Sequence, residues 1–202
     1  TSEITIGGYM AKTVIPKEDL PIKISGVSHC FRTEAGSGGR ESKGLYRVHQ
    51  FSKVELYQFT HPDKSLATHE EMLAIEEEFY QAIKLPYRVM LMCKGELGTP
   101  AFRKYDIEVW MPFHGEGGGY GEVTSTSNCT DFQARRLNIK FKNGLTGKTN
   151  FVHTLNGTAV ATTRTILAIL ENNQQPDGTV LIPEVLQPYV GIENIKPKNK
   201  KF

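Results

Sequence analysis

The chain has 202 residues, enough for one domain with a substantial core and too few to favour a second. Its 24 Lys and Arg residues and 22 Asp and Glu residues nearly cancel, so the net charge of +2 identifies no partner. Cys30, Cys93 and Cys129 form no Cys-x-x-Cys pair, which argues against a structural zinc site and a disulfide-stapled fold. No apolar run approaches the roughly 20 residues that span a bilayer. We therefore expect a protein of an intracellular reducing compartment, cytoplasmic or mitochondrial or other organellar, without a membrane partner.

Strands outnumber helices among the predicted elements. The predicted strands are residues 22–32, 46–59, 87–93, 105–111, 120–126, 137–141 and 149–155, and a glycine-rich loop is predicted over 36–44. A capping box from Thr68 to Glu71 opens a first helix, whose apolar residues recur at helical spacing up to Ile83. A second helix is predicted over about 158–170. Runs of strands with few helices between them predict an α+β fold, a mainly antiparallel sheet flanked by helices.

The predicted strand 46–59 carries a polar face that does not resemble a core face. Alternate residues of a strand share one face, and here they are Arg47, His49, Phe51, Lys53 and Glu55. Phe51 and Glu55 are separated by roughly 13 Å at strand rise. That distance suits a ligand with a flat ring at one end and an amine or hydroxyl at the other. The alternative is a solvent-exposed face with one stray aromatic ring.

Two further arginines are candidate binding residues. Arg32 and Glu34 share a face at the end of the preceding predicted strand, which a hairpin would merge with the polar face just described. Arg164 stands in a stripe of small residues on the second predicted helix, with Gly157, Ala161 and Ala168. Guanidinium groups bind phosphate or carboxylate through two parallel hydrogen bonds. The alternatives are a surface Arg–Glu pair and a tightly packed helix whose arginine neutralises a buried acid.

Four segments, in order along the chain, resemble one family. Residues 31–34 with 44–55 resemble motif 2 of the class II aminoacyl-tRNA synthetases in its seryl form, and 157–164 resembles motif 3. Residues 122–136 are similar to the seryl-specific segment between those motifs, and Thr1-Ser2-Glu3 to the serine-binding Thr-x-Glu loop. The resemblance covers nearly the whole chain. It implies the class II catalytic-core fold and argues against an unrelated antiparallel binding module.

The resemblance also implies an activity and a set of site residues. It implies a serine–tRNA ligase that activates L-serine with ATP and Mg²⁺ and transfers it to the 3′ end of tRNA(Ser). A non-catalytic paralogue that binds nucleotide or a protein partner is the alternative. The implied catalytic residues are Arg32 and Arg164. The implied ATP-binding residues are Arg32, Thr33, Glu34, Arg47, Val48, Phe51, Glu122, Val123, Thr124, Ser125 and Arg164. The implied serine-binding residues are Thr1, Ser2, Glu3, Arg32, Glu55, Asn156 and Thr158, and the implied metal ligands are Glu122 and Ser125.

Individual roles follow from the same resemblance. Arg32 is expected to hold the α-phosphate and the serine carboxylate, and Glu34 to face the adenine amino group. Phe51 is expected to stack on adenine, with Arg164 covering the other side. Residues 1–190 are expected to form the catalytic core and residues 191–202 a basic tail. Motif 1 and the N-terminal tRNA-binding arm are not found in the sequence, so we expect a portion of a longer synthetase that is a homodimer at full length.

Overall fold

The computed structural model describes residues 1–33 and 44–198. Its helices are α1 (Ser2–Tyr9), α2 (Ser65–Ala82), α3 (Phe132–Leu137), α4 (Thr162–Asn173) and α5 (Gln187–Val190). Its strands are β1 (Val14–Pro16), β2 (Ile22–Phe31), β3 (Gln50–Thr60), β4 (Tyr87–Leu91), β5 (Arg103–Met111), β6 (Gly119–Asn128), β7 (Lys140–Lys142), β8 (Thr149–Phe151), β9 (His153–Ala161), β10 (Val180–Leu181) and β11 (Asn194–Ile195). Glu34 lies outside the described residues, and so does its predicted contact with adenine.

The strands assemble into one large sheet and two small ones. The large sheet has the order β2-β3-β9-β6-β5-β4, with every neighbouring pair antiparallel. A small sheet joins β1, β7 and β8, in which β1 and β7 run parallel, and another pairs β10 with β11. The predicted α+β fold, a mainly antiparallel sheet flanked by helices, is confirmed.

Two apolar clusters hold the helices on the large sheet. The first joins α2 and α4 to β5 and β6, and includes the buried residues Tyr80, Val109 and Ala168. The second joins α1 and α3 to β3 and the small sheet, and includes Tyr57 and Phe59. Tyr57 and Phe59 follow the polar residues of β3 on the same alternating face. The polar face of β3 therefore continues into buried residues of the same strand. Their packing in the core fixes the position of the polar face.

Two central strands each contain a β-bulge. The pairing of β9 with β3 leaves out Ala159. The pairing of β6 with β5 leaves out Val123. An extra residue bends a strand and re-aims the side chains around it. Both bulges fall within segments that the sequence assigns to substrate binding.

The predicted starts of both helices are wrong. Helix α2 begins at Ser65, and Thr68 is buried inside it, with its hydroxyl 3.4 Å from that of Thr60. Helix α4 begins at Thr162, so Gly157 and Ala161 belong to β9 rather than to a helical stripe with Arg164. Small and hydroxyl residues fit either a strand or a helix start. The pairing of β9 with β3 and β6 decides in favour of the strand.

Several other predicted boundaries also differ from those of the structure. Strand β3 begins at Gln50, so Arg47 and His49 precede it and do not share its alternation. The predicted strand 137–141 is instead the end of α3 followed by β7, and the predicted strand 149–155 is divided between β8 and β9. The predicted loop at Thr1-Ser2-Glu3 is the start of α1.

The segment predicted to be a basic tail begins with residues that are joined to the fold. Strand β11 pairs with β10, with Val180 opposite Ile195. The predicted boundary between core and tail at residues 190/191 stays a prediction.

Across residues 1–33 and 44–198, no helix is both long enough and apolar enough to pass through a membrane.

Candidate active site

A cavity opens where β3, β6, β9 and the first turn of α4 meet. Its walls are formed by Arg32, Tyr46, Val48, Phe51, Lys53, Glu122, Val123, Thr124, Ser125, Thr158, Ala161, Thr163 and Arg164. The antiparallel pairing of β3 with β9 brings Lys53 opposite Ala161 and carries α4 to the mouth of the cavity. Residues that are distant in sequence, from Arg32 to Arg164, thus share one surface.

Arg164 is held at the cavity by several groups of the chain. Its Nη1 donates to the carbonyl of Glu122 at 2.8 Å and lies 3.3 Å from the carboxylate oxygen Oε2 of the same residue. Its Nε donates to the carbonyl of Tyr46 at 3.2 Å, and its guanidinium carbon lies 4.5 Å from the centre of the Tyr46 ring. The Arg164 side chain is only 13% exposed. The cation is therefore positioned before any ligand arrives.

Arg32 covers the other aromatic ring of the cavity. Its guanidinium carbon lies 4.7 Å from the centre of the Phe51 ring. Its backbone N–H donates to the carbonyl of His49 at 2.8 Å. This bond joins the residue that follows β2 to the residue that precedes β3. The structure has Arg32 over Phe51 and Arg164 over Tyr46. Each arginine thus has an aromatic ring beneath it, an attractive arrangement for a cation. That Arg164 covers the other side of an adenine stacked on Phe51 stays a prediction.

Tyr46 is a cavity residue that sequence reasoning missed. Its hydroxyl donates to the carbonyl of Glu122 at 3.1 Å, and its ring lies 5.2 Å from the ring of His114. A β-carbon on Gly121 would lie 3.1 Å from Tyr46 Cε2 and from its hydroxyl. A glycine inside a strand is typical of a close approach, so Gly121 was the available signal.

The acidic residues predicted for serine binding lie at the far end of the same face. The Thr1 hydroxyl donates to Glu55 Oε2 at 2.6 Å, and the Lys53 ammonium forms an ion pair with the same oxygen. Glu55 is 2% exposed and does not itself line the cavity, but Lys53 and Thr158 do. Burial raises the pKa of the Glu55 carboxyl, and Lys53 and Thr1 oppose that rise.

Glu3 approaches this acidic end from α1. Its Oε1 accepts a hydrogen bond from Gln133 Nε2 at 2.7 Å and another from Asn156 Nδ2 at 3.1 Å. Ser2 has a different environment, because its hydroxyl donates to the carbonyl of Gly26 at 3.1 Å and anchors α1 to β2. Thr158 is tied to the wall of the cavity, since its carbonyl accepts from the Thr124 hydroxyl.

Comparisons with known proteins agree with this geometry. Residues 1–173 match the family model described as the tRNA synthetase class II core domain (G, H, P, S and T). The chain belongs to the class II tRNA synthetase core family.

Within that family, the similarity is to seryl-tRNA synthetases, which confirms the resemblance found in the sequence. A serine–tRNA ligase of Rhodopirellula baltica is 58% identical over 196 residues, and one of Dictyoglomus thermophilum is 57% identical over 198. The matches cover 97% and 98% of this chain but 46% of each relative. This class II core thus spans less than half the length of these curated relatives.

Two solved structures share the fold. The seryl-tRNA synthetase of Pyrococcus horikoshii complexed with ATP gives a TM-score of 0.93 at 50% identity, covering 98% of this chain and 43% of the other. The cytoplasmic serine–tRNA ligase of Naegleria fowleri in complex with AMP gives 0.92 at 44% identity, covering 98% and 47%. The predicted class II catalytic-core architecture is therefore confirmed.

On this class II core the predicted residues fall into two groups. The predicted ATP-binding residues that line the cavity are Arg32, Val48, Phe51, Glu122, Val123, Thr124, Ser125 and Arg164. Thr33 and Arg47 do not line it, and Glu34 lies outside the described residues. The predicted serine-binding residues Thr1, Glu3, Glu55 and Asn156 cluster behind Lys53, with Thr158 between the groups.

The predicted metal ligands both border the cavity. Glu122 offers a carboxylate and Ser125 a hydroxyl, and the described part of the chain holds no group of three His, Cys, Asp or Glu residues suited to a metal. Mg²⁺ commonly takes one or two carboxylates and completes its shell with water and substrate phosphates. The oxygen donors of Glu122 and Ser125 are compatible with that coordination.

Proposed function

We propose that this chain is the catalytic core of a serine–tRNA ligase. In the proposed reaction, L-serine and ATP give seryl adenylate and pyrophosphate, and the whole protein then transfers the seryl group to the 3′ end of tRNA(Ser). The observation that supports the proposal most directly is the continuity of the site. A cavity with Arg32, Phe51 and Arg164 adjoins an acidic end with Glu55 across Lys53 and Thr158. The names of the curated relatives and the ATP complex of a solved neighbour also support it.

The proposed nucleotide end has charge and flat surfaces suited to ATP. Arg32 and Arg164 supply positive charge for the phosphates, because guanidinium forks match phosphate oxygens. The ring of Phe51 offers a stacking surface for adenine, next to Arg32. Thr124 and Ser125 add hydroxyl groups along β6.

The proposed activation step needs no side-chain nucleophile. An oxygen of the serine carboxylate attacks the α-phosphorus, and the bond from that phosphorus to the pyrophosphate oxygen breaks, so pyrophosphate leaves in line. The chain contributes position and charge, which are the main sources of catalysis in transfers at phosphorus. Arg32 would neutralise charge at the α-phosphate and orient the attacking carboxylate. Arg164 would neutralise charge on the departing pyrophosphate.

We include Mg²⁺ in the proposal, held by Glu122 and Ser125. When bound, Mg²⁺ would supply positive charge to the phosphate oxygens of ATP. In the described residues the Glu122 carboxylate is paired with Arg164, at 3.3 Å. Binding of ATP would give both residues new partners of opposite charge, so the pair would open without leaving either charge alone.

The proposed serine end has groups that pair with an amine and a hydroxyl. Glu3 and Glu55 offer carboxyl groups, and Thr1, Asn156 and Thr158 offer hydroxyl and amide groups. A site that hydrogen-bonds a substrate hydroxyl rejects the analogue without it, because buried polar groups are then left unpaired. Alanine would therefore be excluded more strongly than size alone allows.

We also propose that the full-length protein is a homodimer. The supporting observations are exposed apolar residues on α1 and on β2, one of the two edge strands of the large sheet. Tyr9 is 85% exposed and Val27 is 78% exposed, and Ile4 and Phe31 are exposed as well. Apolar residues on an edge strand favour burial against another surface. Sedimentation equilibrium would give a monomer mass if this proposal is wrong.

The activity is tested by ATP–pyrophosphate exchange with serine, threonine, alanine or glycine. The assay uses this chain and a fusion in which the N-terminal half of a curated relative precedes it. We expect exchange with serine and none with alanine. Arg32→Ala serves as the inactive control. If neither form shows exchange with any of the four amino acids, the proposed activity would be contradicted and the non-catalytic paralogue favoured.

A further inference from the structure

Gln133 on α3 lies at the centre of a hydrogen-bond network beneath the acidic end of the site. Its Oε1 accepts from the Tyr57 hydroxyl at 2.7 Å and from the Thr154 hydroxyl at 2.8 Å. Its Nε2 donates to Glu3 Oε1 at 2.7 Å. Tyr57 and Thr154 belong to the neighbouring strands β3 and β9. One half-buried amide thus connects the large sheet to α1.

The network allows only one orientation of the Gln133 amide. An ionised carboxylate accepts hydrogen bonds and cannot donate them, so the amide group that faces Glu3 is the NH₂. The amide oxygen then faces the two hydroxyls, and each of its lone pairs has a donor. Burial raises the pKa of Tyr57, so its hydroxyl keeps the proton that it donates. Turning the amide over would place an oxygen against the Glu3 carboxylate.

A second amide acts on the same carboxylate oxygen. Asn156 Nδ2 donates to Glu3 Oε1 at 3.1 Å, and its other hydrogen points to Cys129 Sγ at 3.4 Å. Glu3 Oε1 therefore has two amide donors. Among residues 1–33 and 44–198, Glu3 Oε2 has no hydrogen-bond donor. The two amides fix the direction of the carboxylate and leave one oxygen for a ligand.

Glu3 belongs to the acidic end of the site, because Thr1, two residues before it, donates to Glu55 Oε2 at 2.6 Å. The charge of Glu3 contributes to the raised pKa of Glu55, although burial of Glu55 is the larger cause. Glu3 and Glu55 thus act on the same small volume, and Asn156 is a predicted member of the serine pocket. An α-ammonium group is the part of an amino acid that pairs with a carboxylate through short, charge-assisted hydrogen bonds.

We propose that Gln133 is a positioning residue for amino-acid binding. It holds Glu3 so that Oε2 receives the α-ammonium group of the substrate, and it does not touch the substrate itself. The proposal rests on the proposed activation of serine. Tyr57 and Thr154 contribute to the same positioning, because their hydroxyls donate to the Gln133 amide that binds Glu3.

The first test is Gln133→Glu, which replaces the NH₂ facing Glu3 by an oxygen of a second carboxylate. The readouts are KM for serine and KM for ATP in pyrophosphate exchange, with the midpoint of thermal unfolding. We expect KM for serine to rise by about tenfold or more, because a bond to a charged group is lost, and KM for ATP to change less than about twofold. Gln174→Glu, an exposed change at the end of α4, is the matched control.

A swapped pair separates positioning from folding. In the double variant Glu3→Gln with Gln133→Glu, the new amide donates to the new carboxylate, so the bond between α1 and α3 is restored. We expect the unfolding midpoint to recover in part, because the amide NH₂ at position 3 cannot accept from Asn156, while KM for serine stays high because the carboxylate no longer faces the amine. Recovery of both would assign Gln133 a structural role only and overturn the proposal.

The two proposals fail in different ways. A wild-type protein without serine-dependent exchange would overturn the proposed activity, and the role of Gln133 with it. A wild-type protein with normal exchange, together with a Gln133→Glu variant of unchanged KM for serine, would overturn the role of Gln133 alone. Equal rises in KM for serine and for ATP would also overturn it, because they would indicate a general disturbance of the site.

Discussion

Gly157 on β9 and Glu76 on α2 approach so closely that a β-carbon on Gly157 would lie 2.4 Å from Glu76 Oε1. The same β-carbon would lie 3.0 Å from Thr126 Oγ1 and 3.1 Å from Met72 Cε. Helix α2 therefore packs directly under the strand that carries the proposed serine pocket. The absence of a side chain at Gly157 is what permits this approach.

Gly157→Ala is expected to destabilise the fold by about 1–3 kcal/mol, because the added methyl overpacks a buried contact. Glu76→Ala in the same chain should recover part of the loss. Urea unfolding of both single variants and the double variant gives the coupling between the two positions, which we expect to exceed about 0.5 kcal/mol. Gly8→Ala is the control, since a β-carbon there would meet nothing within 4 Å. Additive effects at Gly157 and Glu76 would contradict the contact.

Glu76 is expected to make stability depend on pH. It is fully buried, and within the described residues neither of its oxygens has a hydrogen-bond partner. Burial, and then the charges of Glu55 and Asp106, raise the pKa of Glu76 well above its ordinary value of 4.5. The folded chain thus keeps a proton that the unfolded chain releases. The free energy of unfolding should therefore fall as pH rises above about 4.5, by about 1.4 kcal/mol per pH unit, until Glu76 ionises in the folded state.

Glu76→Gln removes this contribution. Its stability relative to wild type should grow with pH across that window, measured by urea unfolding at several pH values. Glu78→Gln, an exposed change on the same helix, should leave the wild-type slope unchanged. Parallel pH profiles for wild type and Glu76→Gln would show that the buried carboxyl is not the source.

Arg32→Ala is expected to abolish adenylate formation while the fold survives. The structural bonds of Arg32 to His49 are made by its backbone N–H and carbonyl, which the substitution keeps. Loss of a charge aimed at the reacting phosphate should lower exchange by about a hundredfold or more. Arg135→Ala, on an exposed position of α3, should keep full exchange. An active Arg32→Ala enzyme would remove Arg32 from the α-phosphate.

Glu55→Ala is expected to raise KM for serine far more than KM for ATP. Glu55 lies beside Thr1 and Lys53 at the proposed serine end, while adenine is proposed to bind at the other end of the face. Glu55→Gln keeps the shape and loses the charge, so it should give an intermediate KM for serine at closer to wild-type stability. Equal changes in the two KM values for Glu55→Ala would exclude Glu55 from the serine pocket.

Tyr46→Ala is expected to weaken ATP binding, because Arg164 loses the ring beneath its guanidinium. A stacked cation is worth about 0.5–2 kcal/mol, so KM for ATP should rise between about twofold and thirtyfold. Tyr46→Phe keeps the ring and loses the hydrogen bond to Glu122, and should have the smaller effect. Tyr189→Ala, at an exposed tyrosine of α5, is the control. An effect of Tyr46→Ala on KM for serine alone would contradict this role.

The sequence by itself determined the fold class, the family and most of the cavity. The period-two alternation of β3 placed Phe51, Lys53 and Glu55 on one face, and this alternation is a local property of an extended chain. The ordered motifs from Arg32 to Arg164 can also be recognised in the sequence alone. They predicted residues that the structure brings together around one cavity.

Only the tertiary structure decided where β9 ends, which ring each arginine covers, and what holds Glu3. The start of α4 at Thr162 depends on pairing of β9 with β3, a contact between residues about a hundred positions apart. Arg164 covers Tyr46 because Gly121 leaves room for that ring, and Gln133 reaches Glu3 only when α1 and α3 pack together. These features are long-range contacts between side chains, and local sequence patterns do not specify which residues will meet.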